Sequence, residues 1–219
     1  MRSSRLFPFL VLAMLPLGPD TGLFAGELNI TTVDQKDTPV AELVVWLDPL
    51  DTPPPVARPE DLTAVVAQRD EEFDPYTIAV RVGTRVNFPN QDPVQHHVYS
   101  LSRPSKFEIP LHRGDVTESV IMDQVGLVPV GCNIHDWMLS YIMVVDSPWF
   151  GTTDETGTMS LAGVPAGKYK LSAWHPRLRK TDEREIEITT DGTQTIDLVF
   201  RLRPDRRLRR APSSGGSKY

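Results

Sequence analysis

Apolar and polar residues alternate over short stretches of this chain, and turn residues interrupt the alternation about every 8–12 positions. A period of two is typical of half-buried β-strands, and short strands at such spacing are typical of sandwiches and barrels. The pattern therefore predicts an all-β fold class. The predicted strands span residues 28–33, 40–47, 62–69, 77–82, 84–89, 96–101, 116–122, 126–130, 139–145, 158–161, 168–174, 185–190 and 195–203.

Proline separates the second predicted strand from the third. The chain has 20 prolines, and the segment 48–59 is especially rich in them. Because proline cannot donate to a strand ladder and favours an extended backbone, this segment is expected to be a semi-rigid connector. The chain is long enough for two small domains.

The N-terminus has the pattern of an export signal. Arg2 and Arg5 precede a mostly apolar stretch, 6–17, which is too short to span a bilayer and is followed by small residues. We predict a signal peptide over residues 1–25, cleaved after Ala25, and a periplasmic location; a retained N-terminal anchor is the alternative. No later segment is apolar for long enough to cross a membrane, so the mature chain is predicted to lack a transmembrane segment.

Charge argues against one class of partner and distinguishes the C-terminal segment from the rest of the chain. The mature chain would hold 21 basic and 28 acidic residues, a net charge of −7, which argues against nucleic acid as a partner. Residues 204–219 are locally basic and rich in Ser and Gly, so we expect a disordered tail. A solvated end is the simpler interpretation, and docking to an acidic partner is the other.

The candidate chemistry lies around the single cysteine. Cys132 is followed three residues later by His135 and, after three more, by Met138. Soft sulfur ligands with imidazole suit copper, and one Cys with two His and a weak axial Met describes a blue-copper electron-transfer site. A lone cysteine in an oxidising compartment has no internal disulfide partner, which favours a ligand role over the alternative of a buried, inert thiol.

The second histidine is expected from the pair His96-His97. Strand alternation places His96 and Val98 on one face and turns His97 away from it, so His96 is preferred as the ligand. Zinc is disfavoured, because methionine is a poor zinc ligand and one Cys with two His leaves the fourth position open. Asn90 or Asn133 is a candidate hydrogen-bonding partner of the sulfur, although either can be an ordinary turn residue.

Residues 62–146 resemble the cupredoxins, and their ligand loop is most similar to that of amicyanin. The resemblance rests on the motifs Phe88-x-Asn90-x-Asp92-x-x-x-His96-His97-Val98 and Gly131-Cys132-x-x-His135-x-x-Met138. It implies a β-sandwich that binds one type 1 copper ion through His96, Cys132, His135 and Met138. Two positions depart from the family: Gly131 replaces a bulky residue, and Asp136 replaces a proline. A carboxylate at Asp136 is expected to lower the reduction potential.

A second resemblance is to carboxypeptidase regulatory-like, or transthyretin-like, modules. It rests on Thr153-Asp154-x-x-Gly157-x-Met159-x-Leu161-x-x-Val164-Pro165-x-Gly167-x-Tyr169-x-Leu171, and on the opening strands from Val33-Asp34 to Val45-x-Leu47. We expect residues 28–50 and 147–203 to form this small β-sandwich, with the cupredoxin-like sandwich inserted in it or lying next to it. Alternatively, 28–50 adds a strand pair to the cupredoxin unit. The combination resembles exported proteins labelled methylamine utilization protein.

These observations predict a blue-copper electron carrier rather than an enzyme, since all strong ligands come from the protein. Its partner would be a redox protein such as a cytochrome or a dehydrogenase, with glycan or envelope contact through the second module. The alternative is an exported envelope or carbohydrate-binding β module whose copper is structural, stored or absent.

Four further residues have expected roles. Trp137 and Ile134 are expected to form either an apolar contact patch or core packing, while His112 should be solvated and His175 should serve packing.

Overall fold

The computed structural model describes residues 25–51, 62–114, 117–189 and 192–207. Every regular element in these ranges is a β-strand, which confirms the predicted all-β fold class. The described ranges contain no helix that is long and apolar enough to span a bilayer. The predicted signal peptide, 1–25, lies outside the described residues apart from Ala25, at which the first strand begins.

Seventeen strands are numbered here in chain order. They are β1 (Ala25–Asp34), β2 (Val44–Pro49), β3 (Thr63–Val65), β4 (Ala67–Arg69), β5 (Glu72–Asp74), β6 (Thr77–Arg81), β7 (Thr84–Phe88), β8 (His96–Leu101), β9 (Lys106–His112), β10 (Glu118–Met122), β11 (Gly126–Cys132), β12 (Leu139–Val145), β13 (Phe150–Thr152), β14 (Thr158–Pro165), β15 (Gly167–Trp174), β16 (Asp182–Ile188) and β17 (Thr193–Phe200).

The ends of the described chain form one layered unit, which we call the outer unit. Its first sheet has the order β14-β1-β17, and its second has the order β13-β2-β15-β16. Apolar residues from both sheets share a buried core, among them Leu28 and Phe200 on the first sheet and Leu47 and Leu171 on the second. Two sheets that bury their apolar faces against each other form a sandwich.

The middle of the chain forms the inner unit, which consists of β3 to β12. A five-stranded sheet, β6-β12-β11-β8-β9, and a three-stranded sheet, β10-β7-β3, share a second buried core that includes Phe88, Val98, Val130 and Ile142. The short β4-β5 hairpin is a separate two-stranded sheet, and Phe73 of β5 is buried in the same core. All strand pairs that the structure describes lie within one unit or the other, and β1 and β2 pair only with strands that follow the inner unit.

The two units meet through a third apolar cluster. Val44 of β2 packs with Met143 and Val145 of β12, and the half-buried rings of Trp46 and Trp174 join them. The outward faces of two sheets are thereby covered, so the predicted alternation of buried and solvated positions is lost at these strands.

Besides shifted strand ends and the unpredicted strands β5 and β13, three stretches differ from the strands that the alternation predicts. Segment 62–69 is divided between β3, which runs parallel to β7, and β4, which pairs with β5, because Val66 and Ala67 are both buried and the alternation breaks between them. Segment 40–47 becomes a strand only at Val44, after a turn in which Glu42 has a φ of 60°. The predicted loop after residue 101 contains β9, whose Pro110 is tolerated because β9 is an edge strand.

Arg207 lies in the segment that was predicted to be a disordered tail. Its guanidinium carbon lies 3.7 Å from the ring centroid of Tyr76, and its Nη2 donates to Glu72 at 3.2 Å. Arg207 therefore contacts the inner unit, whereas residues 204–206 are exposed. The rest of the predicted tail, 208–219, lies outside the described residues.

Candidate metal centre

Two neighbouring strands bring a histidine and the cysteine to the same side of the sheet. Along β8 the burial alternates, so that His96, Val98 and Ser100 face inward. Along β11 the inward residues end with Val130 and Cys132. The antiparallel register sets Cys132 opposite Val98, two residues from His96. Since inward side chains repeat every second residue, the imidazole and the thiol emerge side by side.

The loop after β11 folds back on itself. The Met138 N–H donates to the His135 carbonyl at 3.0 Å, and the Cys132 N–H donates to the Met138 carbonyl at 3.3 Å. The N–H of Asn133 donates to the His97 carbonyl at 3.0 Å, which fastens the loop to β8. These bonds hold His135 above the sulfur of Cys132 and return Met138 to the core.

Three donor atoms converge at this point. The Cys132 Sγ lies 3.9 Å from His96 Nδ1 and 3.9 Å from His135 Nδ1, and the two Nδ1 atoms are 3.1 Å apart. All three atoms lie within 4.8 Å of one another. Met138 is 2% exposed and belongs to the same buried core as Cys132. One thiolate and two imidazoles at such distances fit the strong ligands of a blue-copper site.

Without a metal ion, the electrostatics of the group favour the thiolate of Cys132 and the protonated form of His96. Burial raises the pKa of the Cys132 thiol, but the hydrogen bond with His96 and the backbone N–H groups around the sulfur outweigh burial and lower this pKa to about 6. Burial alone lowers the pKa of His96, whereas its hydrogen bonds with Cys132 and Asp92 act in the opposite direction and the net shift is upward. Because the thiolate is the metal-binding form of cysteine, the sulfur is prepared for a cation at neutral pH.

Each imidazole also has a carboxylate near its outer nitrogen. His96 Nε2 lies 2.8 Å from Asp92 Oδ2, and both side chains are buried. His135 Nε2 lies 3.9 Å from Glu71 Oε2, at a position where both side chains are partly exposed. Carboxylates beyond the ligand ring orient the imidazoles and increase their basicity. Neither carboxylate was predicted to act at this site, because Asp92 is only a motif position and Glu71 precedes His135 by too many residues for any spacing signal.

Several other predicted residues are placed away from the sulfur. The His97 ring faces Glu108, with Nε2 and Oε1 2.9 Å apart, and so points away from Cys132. The Asn90 side chain donates to the carbonyls of Val94 and His112. The Asn133 amide lies 3.4 Å from the His97 ring. Among the described contacts, neither asparagine side chain bonds the cysteine sulfur, so the predicted hydrogen-bonding role belongs to backbone N–H groups instead.

The residues around the ligand loop are divided between surface and core. Ile134 is exposed, whereas Trp137 is half-buried, with its ring centroid 5.2 Å from that of His135. Gly131 faces Tyr99, because a Cβ at this position would lie 3.3 Å from the tyrosine ring. The tyrosine thus occupies the space that a bulky residue before the cysteine would need.

Two histidines outside the site are each held by contacts. His112 is half-buried, and its Nε2 lies 3.2 Å from the Gln68 amide, so it is less solvated than expected. His175 is buried in the outer unit, and its Nδ1 accepts a hydrogen bond from the Arg177 N–H. Neither ring belongs to the group around Cys132.

Comparison with known proteins finds likeness only among solved structures. No protein-family model and no curated protein matches the chain. A Cu(I) amicyanin variant is 17% identical over 41% of this chain and 87% of its own, with a TM-score of 0.35. A reduced amicyanin variant is 19% identical over 46% and 98%, with a TM-score of 0.36. A purple cupredoxin from Nitrosopumilus maritimus is 20% identical over 39% and 100%, with a TM-score of 0.33. At TM-scores this low, the likeness carries no argument about what this chain binds.

Proposed function

We propose that the chain is an exported blue-copper protein that carries electrons between redox partners. The proposal is carried by one observation: the sulfur of Cys132 and the Nδ1 atoms of His96 and His135 meet within 4.8 Å. A trigonal set of one cysteine and two histidines with a weak methionine defines this class of site, and Met138 is buried in the same core. The ligand set we propose for one type 1 copper ion is therefore His96, Cys132, His135 and Met138.

The proposed ligands form a site that suits both oxidation states of copper. When bound, copper would supply a one-electron couple. The β8 and β11 strands fix His96 and Cys132, and the hydrogen-bonded loop fixes His135, so the donors are set before any metal arrives. A site whose ligands hardly rearrange suits electron transfer better than a flexible one.

A carrier is favoured over an enzyme because the proposed ligands all come from the protein and leave no position for substrate. The buried His96 ring and Cys132 thiol support this assignment, since His96 is 0% exposed and Cys132 is 5% exposed. The partner we propose is a redox protein such as a cytochrome or a dehydrogenase, reached in the periplasm after export by the signal peptide.

The division into domains is likewise our proposal. Residues 62–146 would be the cupredoxin-like copper domain, and residues 28–50 with 147–203 would be the transthyretin-like module. It is supported by the pairing of β1 and β2 with strands that follow the inner unit. The label of methylamine utilization protein and a glycan or envelope contact through the outer unit rest on sequence resemblance alone.

Colour and metal content test the proposal. The purified mature chain, supplied with copper, should bind one ion per chain and become intensely blue. The Cys132→Ser variant should lose the colour, because the band of such sites arises from the copper–thiolate bond. Metal analysis and a visible spectrum of both proteins are the measurements.

The adjacent histidines provide a matched control. His96→Ala should lose the colour and most of the copper affinity, whereas His97→Ala should keep both, since the His97 ring faces Glu108 rather than the sulfur. A wild-type protein that stays colourless with copper would contradict the carrier proposal and favour an exported binding module. Equal effects of the two alanine variants would contradict the proposed ligand set.

A further inference from the structure

A tight turn lies over the outer edge of the three-donor group. The β4-β5 hairpin reverses at Asp70 and Glu71, which have φ values of 56° and 58°. Two consecutive left-handed residues are typical of a type I′ hairpin turn, which favours Asn and Gly. An unfavourable backbone of this kind persists only where its surroundings hold it, and it is most informative beside a functional site.

One buried carboxylate holds this turn. Asp92 Oδ1 accepts a hydrogen bond from the Asp70 N–H at 2.6 Å, and Oδ2 accepts one from the Glu71 N–H at 3.0 Å. The same Oδ2 lies 2.8 Å from Nε2 of His96. The Asp92 side chain itself is only 6% exposed. Asp92 therefore ties the turn directly to the imidazole of His96.

The turn carries a second carboxylate to the other imidazole. Glu71 Oε2 lies 3.9 Å from His135 Nε2, and the Trp137 indole N–H donates to the Glu71 carbonyl at 2.9 Å. The ring of Trp137 packs on that of His135 at a centroid distance of 5.2 Å. The turn is thus fastened at both ends, by Asp92 near one imidazole and by Trp137 near the other.

We infer that Glu71 is a positioning residue for His135, brought to it by the turn that Asp92 and Trp137 fasten, and that the carboxylates of Glu71 and Asp92 together favour the oxidised site. The inference rests on the proposed function. A cationic centre is stabilised more by a nearby carboxylate when its charge is higher, and oxidised copper carries one more positive charge than reduced copper. The two carboxylates therefore lower the reduction potential.

Redox titration of the copper-loaded mature chain tests this inference. Glu71→Gln keeps the shape of the side chain and removes its charge, and should shift the balance of oxidised and reduced forms toward the reduced form by three- to tenfold. A tenfold shift is about 59 mV for a one-electron couple. The matched control is Glu108→Gln, which removes a carboxylate from His97, a histidine that does not face the sulfur; its shift should be less than about twofold.

The dependence on salt concentration distinguishes the effect of Glu71 from that of Asp92. The contact of Glu71 is partly exposed, with 17% of the His135 side chain and 21% of the Glu71 side chain accessible, whereas Asp92 and His96 are buried. Screening acts on exposed charges, so the change in reduction potential caused by Glu71→Gln should become smaller as salt rises toward 1 M. The change in reduction potential caused by Asp92→Asn should persist. Without metal, Asp92→Asn should also lose the slowly exchanging Nε2 proton of His96 in the proton NMR spectrum.

A double-variant cycle tests the positioning role. Trp137→Phe removes the hydrogen bond to the turn without changing charge, and should shift the potential in the same direction as Glu71→Gln. If Trp137 acts through Glu71, the double variant should show no more than the larger single shift. Equal shifts in Glu71→Gln and Glu108→Gln, with a blue wild-type protein, would overturn this inference alone. A protein that takes up no copper would overturn the proposed function and this inference together.

Discussion

His96 and His97 occupy opposite environments although they are adjacent and chemically identical. The alternation of β8 turns His96 into the core and His97 toward Glu108. The preference for His96 was available from the sequence, because it needs only the period of two and the inward position of Val98. The roles of Asp92 and Glu71 could not be predicted from the sequence, because they depend on which turn lies over the site.

The lowered pKa of His175 leads to a prediction about how stability depends on pH. Burial, and secondarily the nearby Arg177 charge, lowers the pKa of His175 to about 4. The unfolded chain binds its proton at the ordinary pKa of about 6.5, so protonation favours unfolding. The contribution of His175 to stability is therefore complete above pH ~6.5 and is lost as the pH falls toward ~4, by about 3 kcal/mol. Urea unfolding at both pH values measures this loss.

The control for this prediction is His175→Asn. An asparagine Oδ1 can accept the same hydrogen bond from the Arg177 N–H but does not titrate. The wild-type protein should lose about 3 kcal/mol more than this variant between pH 7 and pH 4. Parallel losses in the two proteins would show that His175 is protonated in the folded state.

Single elements decide how the donors meet. The segment between β7 and β8 carries Asp92 and leads into His96 at the start of β8, and it is organised by Asn90, which is 4% exposed. The side-chain amide of Asn90 donates to the carbonyls of Val94 and His112, and its oxygen accepts from the Asp92 N–H. The sequence indicated a turn here, but a turn pattern does not show which distant carbonyl the amide reaches.

Asn90→Ala should therefore destabilise the inner unit. It leaves two carbonyls and one N–H in a partly buried position without their partner, which is expected to cost about 2 kcal/mol. Asn133→Ala is the matched control: this side chain is exposed and its one described side-chain contact is 3.4 Å long, so its cost should stay within about 0.5 kcal/mol. Chemical denaturation of the metal-free variants measures both, and comparable costs would contradict the role given to Asn90.

At the scale of the whole molecule, two β units bury apolar faces against each other. Val44 is fully buried in the cluster between them, together with Met143 and Val145. Arg207 adds a polar contact, stacking on Tyr76 while it bonds Glu72 of the inner unit. The outer unit therefore packs against the inner unit, and Pro176 and Arg177 line a cleft together with Asp136 and Trp137 of the ligand loop.

Val44→Asp should weaken the whole structure. An unpaired carboxylate in this cluster is expected to cost at least about 3 kcal/mol, because it cannot be solvated there. The same change at Val199, which is 58% exposed on the outer unit, should cost less than about 0.5 kcal/mol. Urea midpoints of the two variants provide the comparison, and equal midpoints would mean that the units do not depend on this contact.

The sequence by itself determined the all-β class, most strand positions and the residues from which the donor set is drawn. These follow from local rules, namely the period of two along a strand and the chemistry of Cys, His and Met. Only the tertiary structure decided the division of 62–69 into two strands, the edge strand β9, and the turn, held by Asp92, that sets Glu71 beside the imidazole of His135. The physical reason is distance along the chain: contacts between residues far apart in sequence depend on packing, which no local pattern encodes.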